Sequence, residues 1–286
     1  MLASYLLSLR EGLEAALVIG IVLGAVSKIR RNDLIPPVWL GILSAIGVSI
    51  LTALLLTRFG MSLHDPAEAI FEGITMVIAA GLLTWMIFWM GKQARFLKSE
   101  IEAGINKAAA TAGKRAAFWL AFMAVVREGI ELALFITAAF FAGSQANVTS
   151  VNNIVQNLAG TILGLGTAAL LSWTLFATTV RLDLRRFFQV TGFMLILFAA
   201  GLVAHGVHEF NIVGWIPSAI EPLWNLNPIL NEESLVGQLL QTLFGYNSNP
   251  SLTEMIAYAV YIVTVLIFWR HDNKAPIKKA TAESRA

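Results

Sequence analysis

Residues 10–17 read REGLEAAL and residues 127–134 read REGIELAL. Each places Arg, Glu and Glu at positions i, i+1 and i+4, so on a helix the three charges fall within one arc of roughly 100°. Both octapeptides sit inside long apolar runs. Arg10 and Arg127 each stand about ten residues into their run, which at about 1.5 Å per residue sets the charges about 15 Å deep, near the middle of a hydrocarbon layer about 30 Å thick. An ionised side chain at that depth costs about 2.5–3.5 kcal/mol on insertion scales, so three per motif must be offset by pairing or retained for function. Each Arg neutralises one Glu and leaves one acidic charge over, and two motifs meeting at the midplane would carry a formal charge of −2. That excess calls for a cation.

Around the motifs the chain is built for lipid. Of its 286 residues 57% are hydrophobic and 13% charged, against about 25% charged in a soluble domain. A helix needs about 20 apolar residues to span the bilayer, and seven stretches qualify: 2–27, 37–58, 67–90, 117–142, 157–180, 187–209 and 253–269. The first has no basic leader and carries Arg10, Glu11 and Glu14 in its middle, so it reads as a mature helix and not a signal peptide. Basic residues follow the first span (Lys28, Arg30, Arg31), the third (Lys92, Arg95, Lys98, Lys107, Lys114, Arg115) and the fifth (Arg181, Arg185, Arg186), and recur in the tail (Arg270, Lys274, Lys278, Lys279). The other connections are poor in them, and 210–252 carries Glu221, Glu232 and Glu233 with no Lys or Arg. Positive charge marks the cytoplasmic side, so the N-terminus is expected outside and the C-terminus inside. The net charge of +2 reflects this orientation, and a nucleic-acid partner is not expected.

The two motifs are 117 residues apart, and AAGL at 79–82 is echoed by AAGL at 199–202. The repeat unit is therefore three helices, and an odd unit inverts. The expected fold is all-α, a polytopic membrane protein with seven transmembrane helices: a 3+3 inverted-topology repeat plus a seventh helix. The expected organisation is a single membrane domain over 1–286, with repeats at 1–91 and 115–210. An extracytoplasmic loop follows at 211–252, then the seventh helix at 253–270 and a cytoplasmic tail at 271–286.

With no cysteine in the chain, thiolate zinc, iron–sulfur clusters and cysteine nucleophiles are excluded, and a metal must be held by oxygen or imidazole. Glu11, Glu14, Glu128 and Glu131 form a hard-oxygen set suited to Fe(III), Mn(II), Mg(II) or Ca(II), with Arg10 and Arg127 orienting them. Glu68, Glu72, His205, His208 and Glu209 lie near the outer ends of the third and sixth spans and read as an outer capture site. All but Glu72, which lies deeper, have a plainer reading. Asp65 as N-cap with Pro66 at N1 makes Glu68 a dipole-favoured N3 residue, and a His or Glu at a helix end often only meets headgroups and water. Gly20 with Gly24 and Gly160 with Gly164 read as close helix approaches.

REGLE, REGIE, the run IFEGITMVIAAGLLTWMIFWM at 70–90 and FGY at 244–246 together resemble the oxidase-dependent ferric iron permease family, especially its bacterial EfeU-like branch. The resemblance covers nearly the whole chain. It implies seven helices with the N-terminus outside, location in the cytoplasmic (inner) membrane, and uptake of iron made ferric by an extracytoplasmic oxidising or delivering partner. It also implies that Glu11, Glu14, Glu128 and Glu131 are iron ligands. Iron is then the transported substrate, no prosthetic group is expected, and the protein is not expected to be an enzyme. Carboxylates alone do not select iron, so another hard cation such as Mn(II) remains an alternative. An intramembrane metal-dependent hydrolase would need one asymmetric acid–base set and not a doubled motif.

Overall fold

The computed structural model describes residues 1–93, 113–142, 151–177, 184–230 and 234–274, and every regular element among them is helical. In chain order these are α1 (Leu2–Lys28), a 3-10 turn (Asn32–Leu34), α2 (Ile35–Ser62), α3 (Ala67–Gln93), α4 (Gly113–Ala142), α5 (Val151–Ala177), α6 (Leu184–Ile212), α7 (Leu235–Phe244) and α8 (Leu252–Lys274). All but α7 among the α-helices coincide with the expected apolar stretches, with α5 starting at Val151 and not near 157. Arg95, Lys98, Lys107, Arg181, Lys278 and Lys279, expected on the cytoplasmic side, lie outside the described residues, as do Glu232 and Glu233.

Two local expectations change. Pro36 and Pro37 stand in the first turn of α2, where a missing N–H costs nothing, but Asp65 does not cap α3. That helix begins at Ala67. The carbonyl of His64 accepts the Ala67 and Glu68 N–H groups at 3.0 and 3.3 Å, and that of Pro66 accepts the Ile70 N–H at 3.2 Å, so backbone oxygens satisfy the first donors. Gly24 is also not a close approach, because a Cβ there would meet nothing within 4 Å.

Small residues set the main interfaces. Ser4, Ser8 and Gly12 of α1 recur every fourth position, and so do Gly160, Gly164 and Ala168 of α5. A Cβ on Gly160 would meet Ser4, one on Gly164 would meet Ser8, and one on Gly12 would meet Ala168, a constant residue difference that makes the two helices parallel. The same device joins α2 to α4, where Gly41 abuts Ala121 and Gly129 abuts Ser49, again at one constant difference. These two packings are the most extensive in the molecule. Between α3 and α6 the sum of residue numbers is constant, Gly73 with Gly206 and Ile87 with Gly192, so that pair is antiparallel.

Two apolar clusters flank the motifs. On one side Leu7 packs with Met76, Leu83, Phe135, Phe141 and Leu202; on the other Val18 and Val22 pack with Val38, Ile42, Ala121 and Val125. Leu7 and Phe135 are one turn from Glu11 and Glu131, while Val18 and Val125 are about one turn from Glu14 and Glu128. The charges are sandwiched between hydrocarbon layers of the protein's own making.

The outer surface is apolar where a soluble protein's would be polar. Leu43, Leu51, Leu54 and Leu55 of α2, Ile162, Leu170 and Trp173 of α5, and Val260, Ile267 and Phe268 of α8 are all more than half exposed, an extent of exposed hydrocarbon that lipid covers without cost. Five helices, α2, α3, α5, α6 and α8, are long and apolar enough to cross a membrane by composition. The other long helices, α1 and α4, fail the same criterion because every window of 18 residues in them carries at least three charges, the motif residues foremost.

Candidate metal centre

The helical spacing of each motif does what it requires. On α1, Arg10 and Glu11 are 2% and 1% exposed and Glu14 is 11% exposed. Arg10 Nε lies 3.3 Å from Glu14 Oε1, and Nη1 lies 3.9 Å from Glu11 Oε1. On α4, Arg127 Nε donates to Glu131 Oε1 at 3.1 Å and lies 4.0 Å from Glu128 Oε1. In both motifs the guanidinium therefore takes the i+4 carboxylate, the partner that a helix places directly beside it.

The halves then diverge. Arg10 is enclosed, whereas Arg127 is 40% exposed and its Cζ sits 4.6 Å above the ring of Trp89 on α3, a cation–π contact that replaces part of the lost hydration. Glu11, Glu128 and Glu131 each offer an oxygen, and the three atoms lie within 4.8 Å of one another. Two oxygens on one hard cation at 2.0–2.6 Å are at most roughly 4–5 Å apart, so this triplet is at the wide end of a ligand set. Both oxygens of Glu11 are buried with no hydrogen-bond partner. Glu14 interacts electrostatically with Glu131 and Arg127 but is not in the triplet. Four equivalent glutamates are expected from the sequence; the geometry brings three carboxylates together, one of them, Glu131, also held by Arg127, and leaves Glu14 beside Arg10.

Near the other ends of α3 and α6, Glu72 and Glu209 are each 7% exposed. Glu209, Glu68 and Asp65 are the charges that act on Glu72, and Glu68 and Asp65 also act on Glu209. Glu68, Glu72 and Glu209 thus interact electrostatically, Asp65 joins them, and His208 acts on Glu209 as well. Glu72 Oε1 is buried without a hydrogen-bond partner. His208 turns elsewhere: its Nδ1 lies 2.9 Å from Glu254 Oε1 at the start of α8. His205 is buried one turn deeper, at 2% exposure.

Glu254 is the residue that the sequence reading missed. It is 1% exposed, accepts from Asn247 Nδ2 at 2.9 Å and from the Ser251 N–H at 3.1 Å, while Ser251 Oγ accepts the Glu254 N–H at 3.3 Å. This is a reciprocal capping box, and its signal, Ser251-Leu-Thr-Glu254 before an apolar run, is present in the sequence.

Long helices with a lipid-facing exterior define a polytopic membrane protein, and three carboxylates converge inside it. Comparison with known proteins makes the class particular. Residues 1–270 match the iron permease FTR1 family, and the chain belongs to that family. It is 32% identical over 269 residues to the ferrous iron permease EfeU of Escherichia coli O6:K15:H31 (strain 536), covering 93% of this chain and 94% of that protein. It is 30% identical over 289 residues to the protein of the same name from Yersinia pestis, covering 100% and 99%. No solved structure matches.

Proposed function

We propose that the protein carries iron across the cytoplasmic membrane into the cell through a midplane cage formed by the two RExxE motifs. Glu11, Glu128 and Glu131 are the ligands in the state described, and Glu14 becomes the fourth when Arg10 releases it. The observation that carries this reading is the convergence of three carboxylates from two helices within 4.8 Å, Glu11 fully buried and Glu128 and Glu131 partly so. Glu68, Glu72 and Glu209, with Asp65 added, draw the ion in from outside, and His208 flanks them.

The cage needs motif helices that run oppositely, and the packing supports an inverted repeat of 3+3 helices followed by α8 as the seventh span. The interface of α1 with α5 is repeated by that of α4 with α2. Met1 and Ser4, which abut Gly160, correspond at the motif spacing to Phe118 and Ala121, which abut Gly41. The short connection from α1 into α2 reverses the chain, so α4, parallel to α2, runs against α1. Together with the basic segments, this supports an N-terminus outside and a C-terminus in the cytoplasm.

An all-carboxylate donor set favours a hard ion, so the ion in the cage is Fe(III), oxidised by an extracytoplasmic partner. The printed names of the relatives specify ferrous iron, which favours a second reading in which Fe(II) itself is taken up. Uptake of radiolabelled iron by cells expressing Glu14→Ala, Glu131→Ala or Glu131→Gln at parental membrane levels tests the cage. All three variants lose uptake on this reading, and near-parental uptake by Glu131→Gln would make the second motif structural.

A further inference from the structure

The helix that the sequence reading left inside an extracytoplasmic loop, α7, ends in an unexpected place. Gly245 follows its last residue and lies against Gly201 of α6. A Cβ on either glycine would collide with the backbone of the other. Gly201 lies inside the longest-buried apolar span, eleven residues before the end of α6 at Ile212. At about 1.5 Å per residue this is about 16 Å below that end. The ten residues of α7 measure about 15 Å, so a helix that starts at the outer ends of the bundle and runs down α6 reaches Gly201 as its last turn closes. α7 packs against α6 and also touches α1.

We propose that residues 235–245 re-enter the membrane from the outer side, with the FGY turn seated on Gly201 near the depth of the RExxE motifs. Only part of 211–252 is then extracytoplasmic.

Non-helical backbone at that depth must find its hydrogen bonds within the protein, and this segment does. Ser234 Oγ accepts the Gly237 N–H at 3.0 Å at the start of α7. At its end Gly245 adopts φ 66°, and its N–H donates to Gln241 O at 2.9 Å while Tyr246 N–H donates to Leu240 O at 3.3 Å, the closure that a left-handed glycine permits. The returning chain is paired as well: Leu226 N–H donates to Ser248 O at 2.9 Å, Leu223 N–H to Pro250 O at 2.8 Å and Leu252 N–H to Ile220 O at 3.0 Å. Gly201 is thus required for contact, and Gly245 for both contact and conformation.

The duplicated AAGL sequence supplies an internal control. Gly81, the counterpart of Gly201 in α3, has nothing within 4 Å of where a Cβ would stand. Only the second copy is occupied by a turn.

The chain has no native cysteine, so single nitroxides can be attached at Val236→Cys, Phe244→Cys and Val263→Cys in proteoliposomes without iron. Their relaxation by dissolved oxygen and by a water-soluble nickel chelate reports depth. The label at 236 is expected to show surface behaviour, and that at 244 to lose nickel access as the label at 263, midway along α8, does. Gly201→Ala is expected to move the 244 label to the profile of 236, whereas Gly81→Ala leaves it unchanged. Nickel access at 244 equal to that at 236 in the otherwise unaltered chain overturns the proposal, and so does a 244 profile unaffected by Gly201→Ala. The measurement involves no transport, so it stands or falls apart from the iron reading.

Discussion

Replacing Glu11 by Gln should uncouple stability from metal binding. Glu11 shares the triplet with Glu128 and Glu131, their oxygens within 4.8 Å of one another. At an effective dielectric constant near 20, each ionised pair at that distance repels by about 3.5 kcal/mol. Arg10, at 3.9 Å from Glu11, returns about 4 kcal/mol on the same scale. From these three partners alone an ionised Glu11 in the empty site carries roughly 3 kcal/mol of uncompensated repulsion, to which Glu14 and the cost of burial add. Gln keeps the shape and removes the charge. Thermal unfolding of the purified protein in detergent, with and without Fe(III) supplied as citrate, reads both consequences. Without metal the variant should be at least as stable as the parent and up to roughly 3 kcal/mol more so, and the stabilisation that metal gives the parent should vanish. A metal-free Glu11→Gln protein clearly less stable than the parent would show that this carboxylate is a structural partner. A metal-induced shift of parental size would show that it is not a ligand.

At the outer end, Glu72→Ala or Glu209→Ala should raise the half-saturating iron concentration while leaving a measurable maximal rate, because fewer charges attract the ion but the cage is intact. Full uptake curves beside Glu14→Ala decide this, and outer variants as inactive at saturating iron as Glu14→Ala would assign those residues to the translocation site. Gly164→Val should cost about 1–3 kcal/mol in thermal unfolding by forcing α1 from α5, whereas Gly47→Ala, with nothing within 4 Å, should be near neutral. Equal effects would refute the small-residue interface. Glu254→Ala should lower stability by about 3–5 kcal/mol, since it strands His208 and opens the capping box; Glu254→Gln, which can still accept from the Ser251 N–H, should lose less.

The motifs were legible because charge in a hydrocarbon run is costly and the i, i+1, i+4 spacing leaves one geometric outcome. Hydropathy and spacing likewise located the long helices, although α1 and α4 fail a strict charge count for the same reason that they matter. The inequality of the glutamates was not legible. Glu11 and Glu14 occupy equivalent spacings to Glu128 and Glu131, and only the packing of α4 beside α3, with Trp89 over Arg127, separates the halves. Nor could the sequence tell that His208 is tied to an acid, because Glu254 is 46 residues from it. The segment α7 was hidden for another reason: ten residues are too few for a span, although Ser234 and Gly245 mark its ends in the manner of any capped helix.

Cation flux through the purified protein in proteoliposomes tests the central claim most directly. Fe(III), Fe(II) and Mn(II) would be supplied separately to the parent and to Glu131→Gln, with the outward-facing surface accessible to the ion. Iron flux is expected in the parent, greatest for Fe(III), and none in Glu131→Gln at equal incorporation. Iron flux preserved in that variant, or a parent that moves Mn(II) and not iron, would contradict it.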